Sequence, residues 1–176
     1  VDLLDSGDLQ CLRVIDYKLG GKAASLSEMY YGQQLQLLTY LCAALNIKPG
    51  FEPAAALYFA VKDPVIDAGI LNEDQIERER VKLLRMSGLV VNDPRMIELT
   101  AARPDEAIPI RFTNAGTPQR ADWLVSPEEL DLLMGRAREL ICEIASDIRR
   151  GVTDITPSIS ENRSACDYCD YRGICQ

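Results

Sequence analysis

An aspartate and a lysine, one residue apart, close an apolar run in Val14-Ile15-Asp16-Tyr17-Lys18. If that run is a strand, side chains two apart leave on the same face, so Asp16 and Lys18 point together. A carboxylate and an ammonium so placed suit phosphodiester hydrolysis. That reaction needs a hard cation, held by oxygen ligands, to polarise the phosphate and activate water. It also needs a positive group to neutralise the charge that builds in the transition state. Asp16 is read as a metal ligand, Lys18 as the group that orients the water or stabilises that charge, and the Tyr17 backbone carbonyl as close enough to help hold the metal. The competing reading is a surface ion pair at a strand end. The tripeptide is common, and its surroundings decide.

The surroundings include Gln36 and Tyr40, in Gln36-Leu37-Leu38-Thr39-Tyr40, inside a stretch that is nearly all apolar from Gln33 onward. Helical spacing sets them one turn apart on one face. A buried glutamine costs free energy unless its amide is hydrogen-bonded. Facing the end of the strand would use that amide, with Tyr40 contacting phosphate or DNA. The alternative is a satisfied core glutamine beside a packed tyrosine.

A third cluster lies at the end of the chain. Cys166-x2-Cys169-x5-Cys175 brings three thiols together among Tyr168, Tyr171 and Arg172. The other three cysteines, Cys11, Cys42 and Cys142, are scattered through apolar segments. A disulfide framework in a small secreted chain would spread differently. Structural zinc and iron–sulfur sites both want four ligands in most cases, so a fourth must come from elsewhere: Cys11, Cys42, Cys142, or a residue outside the chain. One Cys-x-x-Cys knuckle, not two, favours an iron–sulfur cluster over zinc, with a structural role that staples the tail to the domain.

Composition narrows the chemistry. The 176 residues suffice for one domain with a core. There is no histidine, which removes Ser-His and Cys-His catalysis and histidine metal ligation. A net charge of −8 argues against gripping nucleic acid by bulk charge. A nuclease site must then be local, with other domains or subunits holding the DNA. No apolar run approaches the roughly 20 residues of a membrane span, and no signal-peptide pattern opens the chain. A cytoplasmic protein without a membrane partner is expected. The chain begins at Val1 with no initiator Met, and is read as a piece of a larger protein.

The elements that must position these residues follow from pattern. Leu3-Leu4, the Asp5-Ser6-Gly7-Asp8 turn and Leu9 to Lys18 predict a hairpin. A helical segment runs from Ser25 or Ser27 to about Leu45, with Gly32 weakening its continuity. Ala54 to Val61 predicts an apolar strand, and Glu73 to Met86 an amphipathic helix. Leu89 to Leu99 is expected as loop and short strand, and Ala101 to Gly116 as loop with a strand near Ile108 to Thr113. Ser126-Pro127-Glu128-Glu129 is a capping box opening a helix that Gly151 stops. Val152 to Arg163 is extended. The class is α/β.

Together these segments resemble a known family. Val14 to Lys18, Tyr31-Gly32-Gln33-Gln34-Leu35-Gln36-Leu37-Leu38-Thr39-Tyr40, Ala56-Leu57-Tyr58-Phe59, and Ala165 to Gln176 are similar to the RecB-type nuclease domain at the C-terminus of AddB, the B subunit of bacterial AddAB helicase–nucleases. The resemblance spans essentially the whole chain, and the cysteine tail is its most specific part. It implies a PD-(D/E)XK restriction-endonuclease-like fold, a central mixed sheet flanked by helices, with a C-terminal cysteine cluster tail. It implies residues 1–163 as the nuclease domain and 164–176 as an iron–sulfur tail packed on it. Asp16, Lys18, Gln36 and Tyr40 would be catalytic. Asp16 and Tyr17 would hold Mg2+ or Mn2+, and Cys166, Cys169 and Cys175 a 4Fe–4S cluster. The implied function is a Mg-dependent deoxyribonuclease that cuts single-stranded DNA in complex with an A subunit, processing double-strand breaks for recombination.

The chain departs from the family in two places. The family's Gly-x-Ile-Asp segment, whose Asp is a metal ligand, precedes the first strand, and here the chain opens at Val1-Asp2. The family's fourth cluster cysteine lies far upstream. The isolated chain is therefore expected to be impaired in both activity and cluster binding. Three alternatives remain: an inactive nuclease-fold module that binds DNA, a stand-alone RecB-type nuclease with a cluster as in CRISPR adaptation, and a zinc-binding interaction domain.

Overall fold

The first eighteen residues form the expected hairpin. β1 (Asp2–Asp5) and β2 (Gln10–Lys18) pair antiparallel, with Leu3 opposite Leu12 and Leu4 opposite Cys11. In the turn, the Gly7 N–H donates to Asp5 Oδ1 at 2.8 Å. The computed structural model describes residues 1–19, 23–61, 65, 66, 69, 72–100, 108, 110, 112–119, 121, 123–160 and 163–175. They fall into two compact units, Val1–Arg138 and Glu139–Gln176.

Pairing with β1 ends at Arg13, while β2 runs on beside β3 (Glu52–Ala60) in parallel, Asp16 opposite Tyr58 and Lys18 opposite Ala60. Parallel neighbours need a crossover. It is built from α1 (Leu26–Tyr30) and α2 (Gln36–Ile47). Ser25 Oγ accepts the Glu28 N–H and caps α1. Gly32, at φ 85°, takes a left-handed conformation that ends a helix, so two helices form where one was conceivable. α2 buries Leu37, Leu38, Leu41, Cys42 and Ala44 and packs on β2 and β3.

β4 (Ser87–Val91) joins β3 antiparallel, and β5 (Leu124–Val125) joins β4 parallel, giving a mixed sheet in the order β1-β2-β3-β4-β5. Leu12, Val14, Ala56, Tyr58 and Leu89 share one buried cluster with α2 and with Leu130, Met134 and Ala137 of α5 (Pro127–Arg150). Ala55, Leu57 and Val90 share a second with Ile97, Ile108 and Ile110. Burial on both faces explains why β3 reads as a continuous apolar run, not an alternating one. Gly88 sits opposite Leu57, where a Cβ would collide with the Ala56 carbonyl oxygen.

The Ser126 capping box opens α5: the Ser126 N–H donates to Glu129 Oε2 at 2.7 Å, and the Glu129 N–H to Ser126 Oγ at 3.2 Å. α3 (Glu73–Leu83) is shorter than the expected span to Met86 and carries its own capping box, Asn72 with Gln75. The largest difference is at 89–99. There β4 is followed by α4 (Pro94–Thr100), whose cap is Asp93: its Oδ1 accepts the Arg95 N–H at 2.8 Å, and Pro94 takes the first helical position. The expected strand over 108–113 falls partly outside the described residues; Phe112 makes an isolated bridge to Pro118.

In the second unit the end of α5 leaves Ile141, Ile144 and Ile148 exposed. A short hairpin of β6 (Ile159–Ser160) and β7 (Arg163–Ser164) leads into a 3-10 turn at Ala165–Tyr168.

Replacing Asp93 with Ala is expected to cost about 1 kcal/mol, the usual loss for a helix N-cap. The side-chain hydrogen bonds from Arg95 hold the Asp93 carboxyl below its ordinary 3.8. Its contribution is therefore complete above pH 3.8 and lost as pH falls through the lower folded value. Urea melts should separate wild type from Asp93→Ala at pH 7 and bring them together in strong acid.

Candidate active site

β2 and the crossover place four of the expected site residues in one chain of contacts. Lys18 Nζ lies 2.7 Å from Asp16 Oδ2. The same ammonium donates to Gln36 Oε1 at 2.5 Å. Gln36 Nε2 donates in turn to the Tyr40 hydroxyl oxygen at 2.8 Å, across the one-turn spacing on α2. The ring of Tyr58 completes the floor, with Lys18 Nζ 5.5 Å from its centroid.

Gln36 is exposed, and Tyr40 is half open to solvent. Gln36 is therefore not the buried amide in search of a partner that its apolar setting suggested. The buried glutamine is its neighbour Gln34, at 3% exposure. Gln34 Oε1 accepts the Ser25 N–H at 3.2 Å, while its Nε2 donates to the Ala23 carbonyl at 3.1 Å and to the Glu28 carboxylate. Gln34 thus ties the turn between α1 and α2, and Gln36, two residues on, is delivered to the end of β2.

The electrostatics favour a permanent cation beside a carboxylate. The Asp16 carboxylate is the main reason the Lys18 pKa stands above its ordinary 10.5, outweighing partial burial, so Lys18 is an ammonium throughout the neutral range. Burial pushes the Tyr58 phenol up; Lys18 opposes this, and Asp16 and Glu28 add to it. Tyr58 therefore stays a neutral ring.

The donor set can be tested against a divalent cation. Asp16 Oδ2 is shut off from solvent and has no hydrogen-bond partner. The Lys18 ammonium stands 2.7 Å from it as an ion pair. The oxygen is an acceptor with an unspent lone pair, as a metal ligand would be. The Tyr17 carbonyl is also available. Lys18 O accepts from the Val61 N–H, which directs it toward β3, and alternate carbonyls along a strand point oppositely. Tyr17 O therefore faces the side where β1 has already stopped pairing. These two oxygens fit a hard cation. Asp2 does not join them: it pairs with Arg13 Nε at 2.7 Å and sits opposite Arg13, on the sheet face away from Asp16. Among the described residues no three His, Cys, Asp or Glu side chains gather into a metal-holding group.

The cysteine tail is no exception. The structure does not bring Cys166, Cys169 and Cys175 together as a ligand group, although all are free thiols. It does shape the first knuckle: Ser164 Oγ accepts the Cys166 N–H at 3.1 Å, and the Cys169 N–H donates to Cys166 O at 3.3 Å. Cys11 and Cys42 are packed in the core of the first unit, where burial raises the Cys11 thiol pKa. Cys142 is exposed on the second.

A mixed sheet with flanking helices, ending in a carboxylate–ammonium pair at a strand tip, is the architecture of a metal-dependent phosphodiesterase domain. The sequence profile of the PD-(D/E)XK nuclease superfamily matches residues 1–176, and the chain belongs to that superfamily. Among similar curated proteins are the B subunits of the ATP-dependent helicase/deoxyribonucleases of two clostridia. That of Clostridioides difficile strain 630 is 35% identical over 191 residues, and that of Clostridium botulinum strain Hall 34% identical over 186 residues. Each alignment takes in 100% of this chain and 16% of the relative, so the chain spans about a sixth of their length. Among the described residues no helix is long and apolar enough to cross a membrane.

The two glutamines should separate in a stability measurement. Gln34→Ala strands three polar partners and is expected to cost about 1–3 kcal/mol. Gln36→Ala should stay within about 0.5 kcal/mol of wild type, as surface substitutions do. Chemical denaturation of both variants checks this.

Proposed function

We propose that this chain is the nuclease domain of a larger helicase–deoxyribonuclease component and cuts single-stranded DNA with Mg2+ or Mn2+. The observation that carries the reading is the solvent-shielded oxygen of Asp16, ion-paired at 2.7 Å with an ammonium that Gln36 holds in place. The cation would be held by Asp16 Oδ2 and the Tyr17 carbonyl; when bound it polarises the phosphate and acidifies a water.

The rest is work for the chain's own residues. Lys18 sits where it can neutralise charge on a non-bridging phosphate oxygen or orient the attacking water. Gln36 fixes Lys18 at a defined point. Because Gln36 donates to the Tyr40 oxygen, the Tyr40 proton is left to donate to a phosphate of the DNA.

The net charge of −8 leaves the grip on DNA to other parts of the assembly. The relatives are named as B subunits of a helicase/deoxyribonuclease, which supports such an assembly with a helicase partner, the A subunit. We place it in the cytoplasm, processing double-strand breaks for recombination. Residues 1–163 would be the nuclease domain. In the tail, residues 164–176, Cys166, Cys169 and Cys175 would supply three ligands of a structural 4Fe–4S cluster, the fourth coming from outside the chain. The donor set supports this reading: three thiols, none in a disulfide, the first inside a capped turn and the other two at its end and beyond it.

Two experiments test these assignments. In the full-length protein with its helicase partner, Asp16→Ala and Lys18→Ala should each slow Mg2+-dependent cleavage of a labelled single-stranded oligonucleotide by about 10²-fold or more. Chelating the metal should stop cleavage, and cutting by Asp16→Ala at the wild-type rate would remove Asp16 from the mechanism. For the tail, purified full-length protein should contain iron and absorb visible light, and Cys169→Ser should lose both. A colourless, zinc-loaded protein would overturn the cluster assignment.

A further inference from the structure

In the sequence Tyr58 belongs to an apolar strand and to one of the segments that resemble the family, with no role of its own; its place beside Lys18 comes from the tertiary register. It stands opposite Asp16 in the parallel β2–β3 pair, and cross-strand partners share a face. That face is the one Asp16 and Lys18 use. The residue is 4% exposed, locked in the core cluster with Val14, Leu37 and Leu41. Over this fixed ring lies the Lys18 ammonium, 5.5 Å from the centroid. Lysine is a flexible four-carbon stem ending in a point charge. Among the described residues its head meets the Asp16 carboxylate, the Gln36 amide oxygen and the Tyr58 ring.

Resting on the nuclease reading of this site, we propose that Tyr58 is a positioning residue for Lys18, its ring face holding the ammonium at the point where Asp16 and Gln36 converge. The electron-rich face of a neutral aromatic ring attracts an ammonium, and does so more strongly where water is partly excluded. Asp16 and Gln36 set the direction of the ammonium, and the ring blocks the space into which the stem would otherwise relax. The face of the ring is what matters, not the hydroxyl. Phenylalanine can therefore replace Tyr58, and an aliphatic side chain cannot.

The test is single-turnover cleavage of a labelled single-stranded oligodeoxynucleotide by the full-length protein in Mg2+, with enzyme in excess. Tyr58→Leu should lower the rate at saturation by about 10- to 100-fold, as a misplaced catalytic group does, with half-saturation little changed. Tyr58→Phe should restore most of the rate. In a Lys18→Ala background Tyr58→Leu should add no further loss, because a residue that acts through Lys18 has nothing left to act on. Tyr58→Met, which fills the core without a π face, serves if the Leu variant does not fold. Equal losses from Tyr58→Leu with and without Lys18 would make Tyr58 a packing residue and overturn the proposal, as would a Phe variant as slow as Leu. Wild-type cleavage by Lys18→Ala would instead defeat the underlying reading of the site.

Discussion

Two parallel strands cannot be joined by a tight turn. The chain that leaves β2 at Lys18 must rise off the sheet, cross it and come back to start β3 at Glu52. The rest of the site depends on this constraint. The crossover is made of α1 and α2, and α2 packs on the face of β2 and β3 that carries Asp16 and Lys18. Its first residue is Gln36, set at the tip of β2. The parallel register also brings Tyr58 beside Asp16. A strand tip, a helix start and a neighbouring strand are thus made to meet by one topological requirement.

The electrostatic problem is local, not global. The domain is acidic, and the DNA it is proposed to cut is a polyanion, so bulk charge works against association. The site compensates at short range. Lys18 lies over an aromatic ring and beside a carboxylate that keeps it protonated. Asp16 in turn has an oxygen removed from water, with the Lys18 ammonium 2.7 Å from it. Burying a carboxylate oxygen is costly unless a cation compensates it, and the Lys18 ammonium does so here.

Local pattern made much of this legible in the sequence. Alternation gave the hairpin and the common face of Asp16 and Lys18, and the Ser126 capping box marked the start of α5. Gln36 was placed at the site for the wrong reason: it is exposed, and Gln34 is the buried amide. Neighbouring glutamines in an apolar stretch carry the same local signal, and only the turn at Gly32 decides which one faces inward. α4 was missed although Asn92-Asp93-Pro94 is a cap followed by a first-turn proline; the short, strongly apolar β4 before it outweighed that punctuation. β5, two residues long, has no period to detect. Tyr58 was hidden for a deeper reason. Its role comes from a register between strands 42 positions apart, Asp16 with Tyr58, and nothing in its own neighbourhood encodes that partner. The cysteine tail was legible as a set of donors, but spacing in sequence did not translate into a gathered ligand group.

The central claim is that Asp16, Lys18 and Gln36 border one cation site. Titrating Mn2+ into the isotope-labelled chain, and following the side-chain amide signal of Gln36 by NMR, tests it most directly. This signal should broaden early in the titration and stay sharp when Asp16 is changed to Asn. A Gln36 signal indifferent to Mn2+, or one that broadens equally in the Asn variant, would contradict it.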